Sequence, residues 1–133
     1  MDEAALREIC QKHDLKLVIL FGSRAKGCAR QDSDYDVGVL RRQGIIPPEQ
    51  FLELAYRLSR ALDMGNVDLV DLRRASPLLK YEAARSARVL YEAEAGFFDC
   101  FHVYAWKLYQ DARYDFYRFY PIYIERSLER LLS

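Results

Sequence analysis

The chain has 133 residues, enough for a single sizeable core and too few for two full domains. Apolar residues make up 51% and charged residues 30%, which excludes a disordered chain. Twenty Lys and Arg balance twenty Asp and Glu, so there is no global field for gripping nucleic acid or an anionic membrane. A local anion site stays open. The three cysteines, Cys10, Cys28 and Cys100, form no CxxC pair and no Cys/His cluster. They read as reduced thiols of a cytoplasmic protein rather than as a zinc site or a disulfide framework. The acidic start, Met1-Asp2-Glu3, lacks the layout of a signal peptide, and the apolar run Leu17 to Phe21 is far too short to span a bilayer.

Leu6, Ile9, Cys10 and His13 recur at helical spacing and predict a short helix. Leu15 to Phe21 is almost wholly apolar and predicts a strand buried on both faces. It stops at Gly22-Ser23, and residues 23–33 read as a turn, a helical piece and a loop. Asp34 to Leu40 predicts a second strand, with two acids at its start. Pro47-Pro48-Glu49 suits a helix start, and Phe51, Leu54, Ala55, Leu58 and Leu62 supply that helix with an apolar stripe. Gly65-Asn66 is a turn, and Val67 to Leu72 predicts a third strand. Ser76-Pro77 opens a further helix reaching about Ala87, and Arg88 to Tyr91 suits a short edge strand. This alternation predicts an α/β sheet domain over residues 1–93.

Residues 94–133 differ in composition. Twelve of the chain's eighteen aromatic residues lie between Phe97 and Tyr123. Phe97, Phe101, Tyr104 and Leu108 fit one helical stripe, and Ala105, Tyr109, Ala112 and Phe116 fit another. A helix with two apolar faces must cover its own sheet or dock a partner chain, and both remain open. Pro121 is expected to end or kink it. His102 reads as an ordinary helix residue.

Three features with chemistry sit at strand ends. Gly22-Ser23-Arg24-Ala25-Lys26-Gly27 follows a buried strand, where a turn into a helix start can present backbone N–H groups to a phosphate. Neither the Walker pattern nor GxGxxG is present. Asp34 and Asp36 stand at i and i+2 of a strand, so their carboxylates leave the same face about 6.6–6.8 Å apart and can turn onto a common hard cation such as Mg²⁺. Asp68 is flanked by Val67 and Leu69, and a lone acid in an apolar strand is costly unless balanced. Asp71 points to the opposite face from Asp68 and suits a strand-end role.

Together, Gly22-Ser23, Asp34-x-Asp36 and Asp68 resemble the nucleotidyltransferase fold of the DNA polymerase β type. The strings GSRAKG, SDYDVGV and VDLVDL resemble the minimal nucleotidyltransferases (MNT), which are often encoded beside a HEPN-domain ribonuclease as its antitoxin. The resemblance covers roughly residues 5 to 92. It implies a small mixed sheet with flanking helices, to which this chain adds an aromatic-rich C-terminal helical segment. It implies transfer of AMP from ATP to a tyrosine of a partner HEPN toxin, in a possible hetero-oligomer. Gly22, Ser23 and Arg24 would bind the nucleotide's phosphates. Asp34, Asp36 and Asp68 would be the catalytic acids, holding two Mg²⁺ ions. Two other functions stay open: a small-molecule adenylyltransferase of the aminoglycoside-modifying kind, and an antitoxin that neutralises by binding alone. Stable nucleic-acid binding and membrane association are not expected.

Overall fold

A computed structural model describes residues 1–22, 25 and 34–132, with backbone only at 115–125, 127, 128, 131 and 132. The elements are α1 (Glu3–Lys12), β1 (Leu15–Phe21), β2 (Tyr35–Arg41), α2 (Pro48–Ala61), β3 (Val67–Asp71), α3 (Pro77–Arg85), β4 (Arg88–Glu92) and α4 (Phe97–Leu132). The four strands form one sheet in the order β3-β2-β1-β4. β1 pairs antiparallel with β2 and β4, and β2 pairs parallel with β3, so the sheet is mixed. The parallel pair follows from the helical crossover through α2, which returns the chain to the same end of the sheet.

The apolar run in β1 reflects its central place between two cores. Leu15, Val18 and Leu20 belong to a cluster with Leu6, Ile9 and Cys10 of α1 and Leu54 and Leu58 of α2. Leu17, Ile19 and Phe21 belong to a second cluster with Ala83 and Ala84 of α3 and Phe101 and Ala105 of α4. A register shift between Leu15 and Leu17 offsets the strand's alternation. Each fully buried Leu or Val contributes about 1.5–3 kcal/mol relative to leaving it exposed. At Gly38 an added Cβ would come within 2.9 Å of Leu72 Cδ2 and 3.2 Å of Ile19 Cγ1, so the second core closes directly on the backbone there.

The helices start where capping chemistry allows. The Asp2 carboxylate accepts from the Ala5 N–H at 3.0 Å, and the Ser76 hydroxyl accepts from the Leu79 N–H at 3.1 Å. Pro48 and Pro77 occupy first-turn positions, where a missing N–H costs nothing. β4 is an edge strand, as expected.

The C-terminal segment departs from expectation at Tyr104. α4 runs on through Pro121 to Leu132, so of the two expected effects, an end or a kink, Pro121 does not produce an end. Its first half lies on its own sheet: Phe101 and Ala105 are buried, and Tyr109 stacks on Tyr81 of α3 with centroids 4.6 Å apart. Tyr104, expected in the apolar stripe with Phe101, is half exposed, because the buried face turns through Ala105 instead. His102 makes a tilted ring contact with Phe98 at 5.8 Å, an ordinary helix packing.

Candidate active site

Three strands bring the candidate residues into one row. Phe21, the last residue of β1, pairs with Asp36 of β2. Asp36 in turn pairs with Asp68 of β3 in the parallel ladder. Partners in a ladder point to the same face, so Asp36 and Asp68 stand side by side, and Gly22, just past Phe21, lies against the Asp36 carboxylate. Asp34 lies just ahead of β2, two residues before Asp36, on that same side.

Gly22 has φ +75°, a conformation that L side chains rarely adopt. A Cβ placed there would collide with Oδ2 of Asp36, so the turn depends on a glycine for both conformation and space. Its amide donates to the Ser86 hydroxyl at 3.2 Å. That hydroxyl in turn donates to the Glu82 carbonyl at 3.0 Å. The glycine's contribution is therefore room beside the carboxylate, while its own N–H is committed to the end of α3. Ser86 was missed by sequence reasoning. It stands 64 residues from the glycine, and no local pattern signals the contact. Ser23 and Arg24 lie outside the described residues.

The acids repel one another. Burial first, then the negative charges of Asp68 and Asp34, push the Asp36 carboxyl above its ordinary value. Asp68 is exposed, in keeping with its expected place on the site face. The reason is its place near the start of an edge strand: Leu69 packs inward and Asp68 projects out past the end of the sheet. Asp71 faces the other way. It is 7% exposed and accepts from the Ile46 N–H at 2.9 Å and the Arg73 N–H at 3.1 Å. It thereby anchors the loop into α2 and takes no part in the acidic row.

Clustered carboxylate oxygens with a mutual charge penalty fit a hard divalent cation of the Mg²⁺ type. Among the described residues, no group of three His, Cys, Asp or Glu side chains is drawn tightly enough to hold an ion alone.

The model of the family described as Polymerase beta, Nucleotidyltransferase matches residues 4–95. The chain belongs to this family. A curated nucleotidyltransferase, the protein adenylyltransferase MntA of Shewanella oneidensis, is 39% identical over 77 residues, covering 58% of this chain and 54% of that protein. The match thus spans about half the length of that relative. MntA of Aphanizomenon flos-aquae is 30% identical over 112 residues, 74% of this chain and 71% of the relative. A crystal structure of a toxin–antitoxin with AMP-PNP superposes with a TM-score of 0.71 at 26% identity, covering all of both chains. A structure of tri-AMPylated Shewanella oneidensis HEPN toxin in complex with MNT antitoxin gives a TM-score of 0.65 at 25% identity, covering 99% of this chain and 97% of the other. The four-stranded mixed sheet with its flanking helices is the fold of this family.

Proposed function

We propose that this chain is a Mg²⁺-dependent nucleotidyltransferase that moves AMP from ATP to a tyrosine hydroxyl of a HEPN-type toxin, acting as its cytoplasmic antitoxin. The observation that carries the reading is the row Gly22–Asp36–Asp68 across three paired strands, with Asp34 beside it. The MntA relatives and the toxin–antitoxin structures supply the acceptor class. No helix among the described residues is long and apolar enough to cross a membrane.

In this reading residues 1–93 carry the chemistry and 94–133 form the helical segment. Asp34 and Asp36 would hold the cation, which when bound would supply positive charge to the triphosphate. Asp68, at the outer end of the row, would help hold a second ion and would accept the proton of the attacking hydroxyl. Gly22 leaves the space into which Asp36 turns its carboxylate, and Ser86 fixes the glycine. Ser23 and Arg24 follow directly and would hold the β- and γ-phosphates. Two bound Mg²⁺ ions would supply positive charge to the entering and leaving oxygens of an in-line displacement. The rest of the acceleration is positioning, which rigid strand ends provide.

The test is transfer of label from α-labelled ATP, with Mg²⁺, to a purified HEPN toxin. Transfer by the unaltered chain, lost in an Asp34→Ala/Asp36→Ala variant, supports the proposal. Neutralisation of the toxin that survives in the variant contradicts it in favour of binding alone. Transfer to kanamycin but not to the toxin contradicts it in favour of a small-molecule enzyme.

A further inference from the structure

Away from the acids, a cavity of about 320 Å³ opens where the first turns of α4 meet α3 and the far end of β2. Leu40 lies four residues beyond Asp36 on β2, about 13 Å along the strand, so this cavity stands apart from the acidic row. Phe97 and Phe101 of α4 join Leu40 in an apolar wall, and Arg73 and Lys80 add two cations. We propose that the cavity is a binding site for a small aromatic carboxylate: one ring on a short chain ending in a single carboxylate.

The apolar part fits a ring. Phe101 is 5% exposed and anchored in the second core. Phe97 packs half-buried on the same core, with Lys16 Nζ 4.8 Å from its ring centroid. The Phe98 N–H donates to the Glu92 carboxylate at 3.0 Å, which fixes the turn that carries both rings. Tyr104, which the helical periodicity would bury, instead borders the cavity with half its surface exposed. Rings set around an open cavity gain most from another ring placed among them. The volume lies at the lower end of the range for ligand pockets, room for a single ring and a short chain.

The charged part fits one carboxylate. The lining has two cations and no acid. Arg73 is held in place: its Nη2 donates to the Arg41 carbonyl at 2.9 Å and to the Arg42 carbonyl at 3.4 Å. Lys80 is half-buried, and among the described residues its ammonium enters no ion pair. The positions three and four residues away from it, Ser76, Pro77, Ala83 and Ala84, offer no acid either. A half-buried ammonium without a counter-charge is unfavourable, and a ligand carboxylate supplies one through charge-assisted hydrogen bonds. A neutral ring would leave that charge unmatched, a cationic ligand would be repelled, and a polyphosphate would set further charge against the apolar wall. The ligand touches α3, α4 and the end of β2 together, so its binding ties α4 to the sheet.

The experiment uses the full chain with 4-phenylbutyrate as the probe, and 4-phenylbutan-1-ol and 4-phenylbutylamine as its neutral and cationic counterparts. In ¹⁵N-labelled protein, 4-phenylbutyrate is expected to shift the amides of Lys80, Cys100, Phe101 and Tyr104 saturably and to leave those of Asp36 and Asp68 unmoved. The alcohol should bind at least fivefold more weakly, and the amine should not bind. Shifts confined to other faces, or an alcohol that binds as tightly as the acid, overturn the proposal. Lys80→Met keeps the stem and removes the charge. It should weaken the acid at least fivefold and leave the alcohol within twofold, and Lys80→Arg should restore the acid's affinity. Unchanged affinity for the acid in folded Lys80→Met overturns the proposal. Should that variant fail to fold, Cys100 decides the matter in the unaltered chain. Its thiol lines the same cavity, so saturating 4-phenylbutyrate should slow maleimide labelling of Cys100 at least fivefold. Unslowed labelling overturns the proposal. None of these readouts involves nucleotidyl transfer, so their failure leaves the proposed function standing.

Discussion

Replacing Asp36 by Asn should stabilise the cation-free protein while abolishing its response to Mg²⁺. Asp36 and Asp68 are direct partners on adjacent strands, and Asp34 adds a further negative charge. Neighbouring strands lie about 5 Å apart. Two like charges at that separation repel by about 1–2 kcal/mol at an effective dielectric constant of 40–80, suited to a half-exposed site. The sign follows from the direction of the shift. Because folding raises the Asp36 carboxyl above its ordinary value, its ionised form costs stability, and that cost is relieved as pH falls through the raised value. Asn carries no charge and keeps the volume. In EDTA at pH 7.5, Asp36→Asn should therefore melt about 3–6 °C above the unaltered protein. The gap should narrow as the buffer is taken toward pH 4. Adding Mg²⁺ should raise the melting temperature of the unaltered chain, by about 1.4 kcal/mol at ten times its dissociation constant, and leave the variant unmoved. Thermal denaturation followed by circular dichroism measures all of this. A variant less stable than the parent in EDTA would refute the reasoning, since it would mean the carboxylate is held by favourable partners.

Three further outcomes are expected. Gly22→Ala should retain the fold and lose nucleotidyl transfer by at least a hundredfold, because the methyl displaces the Asp36 carboxylate; a steady-state assay with a matched circular dichroism spectrum checks this. Leu58→Ala, at a fully buried position in the first core, should cost about 2–5 kcal/mol, and Gly38→Ala, against Leu72 and Ile19, about 1–3 kcal/mol, both read from urea midpoints. Maleimide labelling followed by peptide mapping should modify exposed Cys100 within minutes and spare Cys10, whose thiol burial pushes up to about 12, until the protein is unfolded.

What could be read in advance follows from how local each signal is. β1 was legible because burial on both faces leaves a nearly continuous apolar run, interrupted in Leu15 to Phe21 only by Lys16. The alternation in β3 correctly separated Asp68 from Asp71, since period two is a property of any strand. The pairing of Asp36 with Asp68 could not be read, because register between strands joined by a long helical crossover is set by packing of α2. The exposure of Asp68 agrees with its assignment to the site face, opposite to buried Asp71. Ser86 acts on Gly22 through a contact that exists only after α3 and α4 close the second core. Pro121 does not end α4, because the helix continues to Leu132 on its far side. The segment holding Ser23 and Arg24 lies outside the described residues, so their place beside the phosphates stands on the motif.

The most direct measurement is anomalous diffraction from crystals of the full chain grown with AMP-PNP and Mn²⁺ in place of Mg²⁺. The account predicts metal peaks within coordination distance of carboxylate oxygens of Asp34, Asp36 and Asp68, bridging to the nucleotide's phosphates. Bound nucleotide with its metal lodged elsewhere, and those three carboxylates uncoordinated, would contradict it.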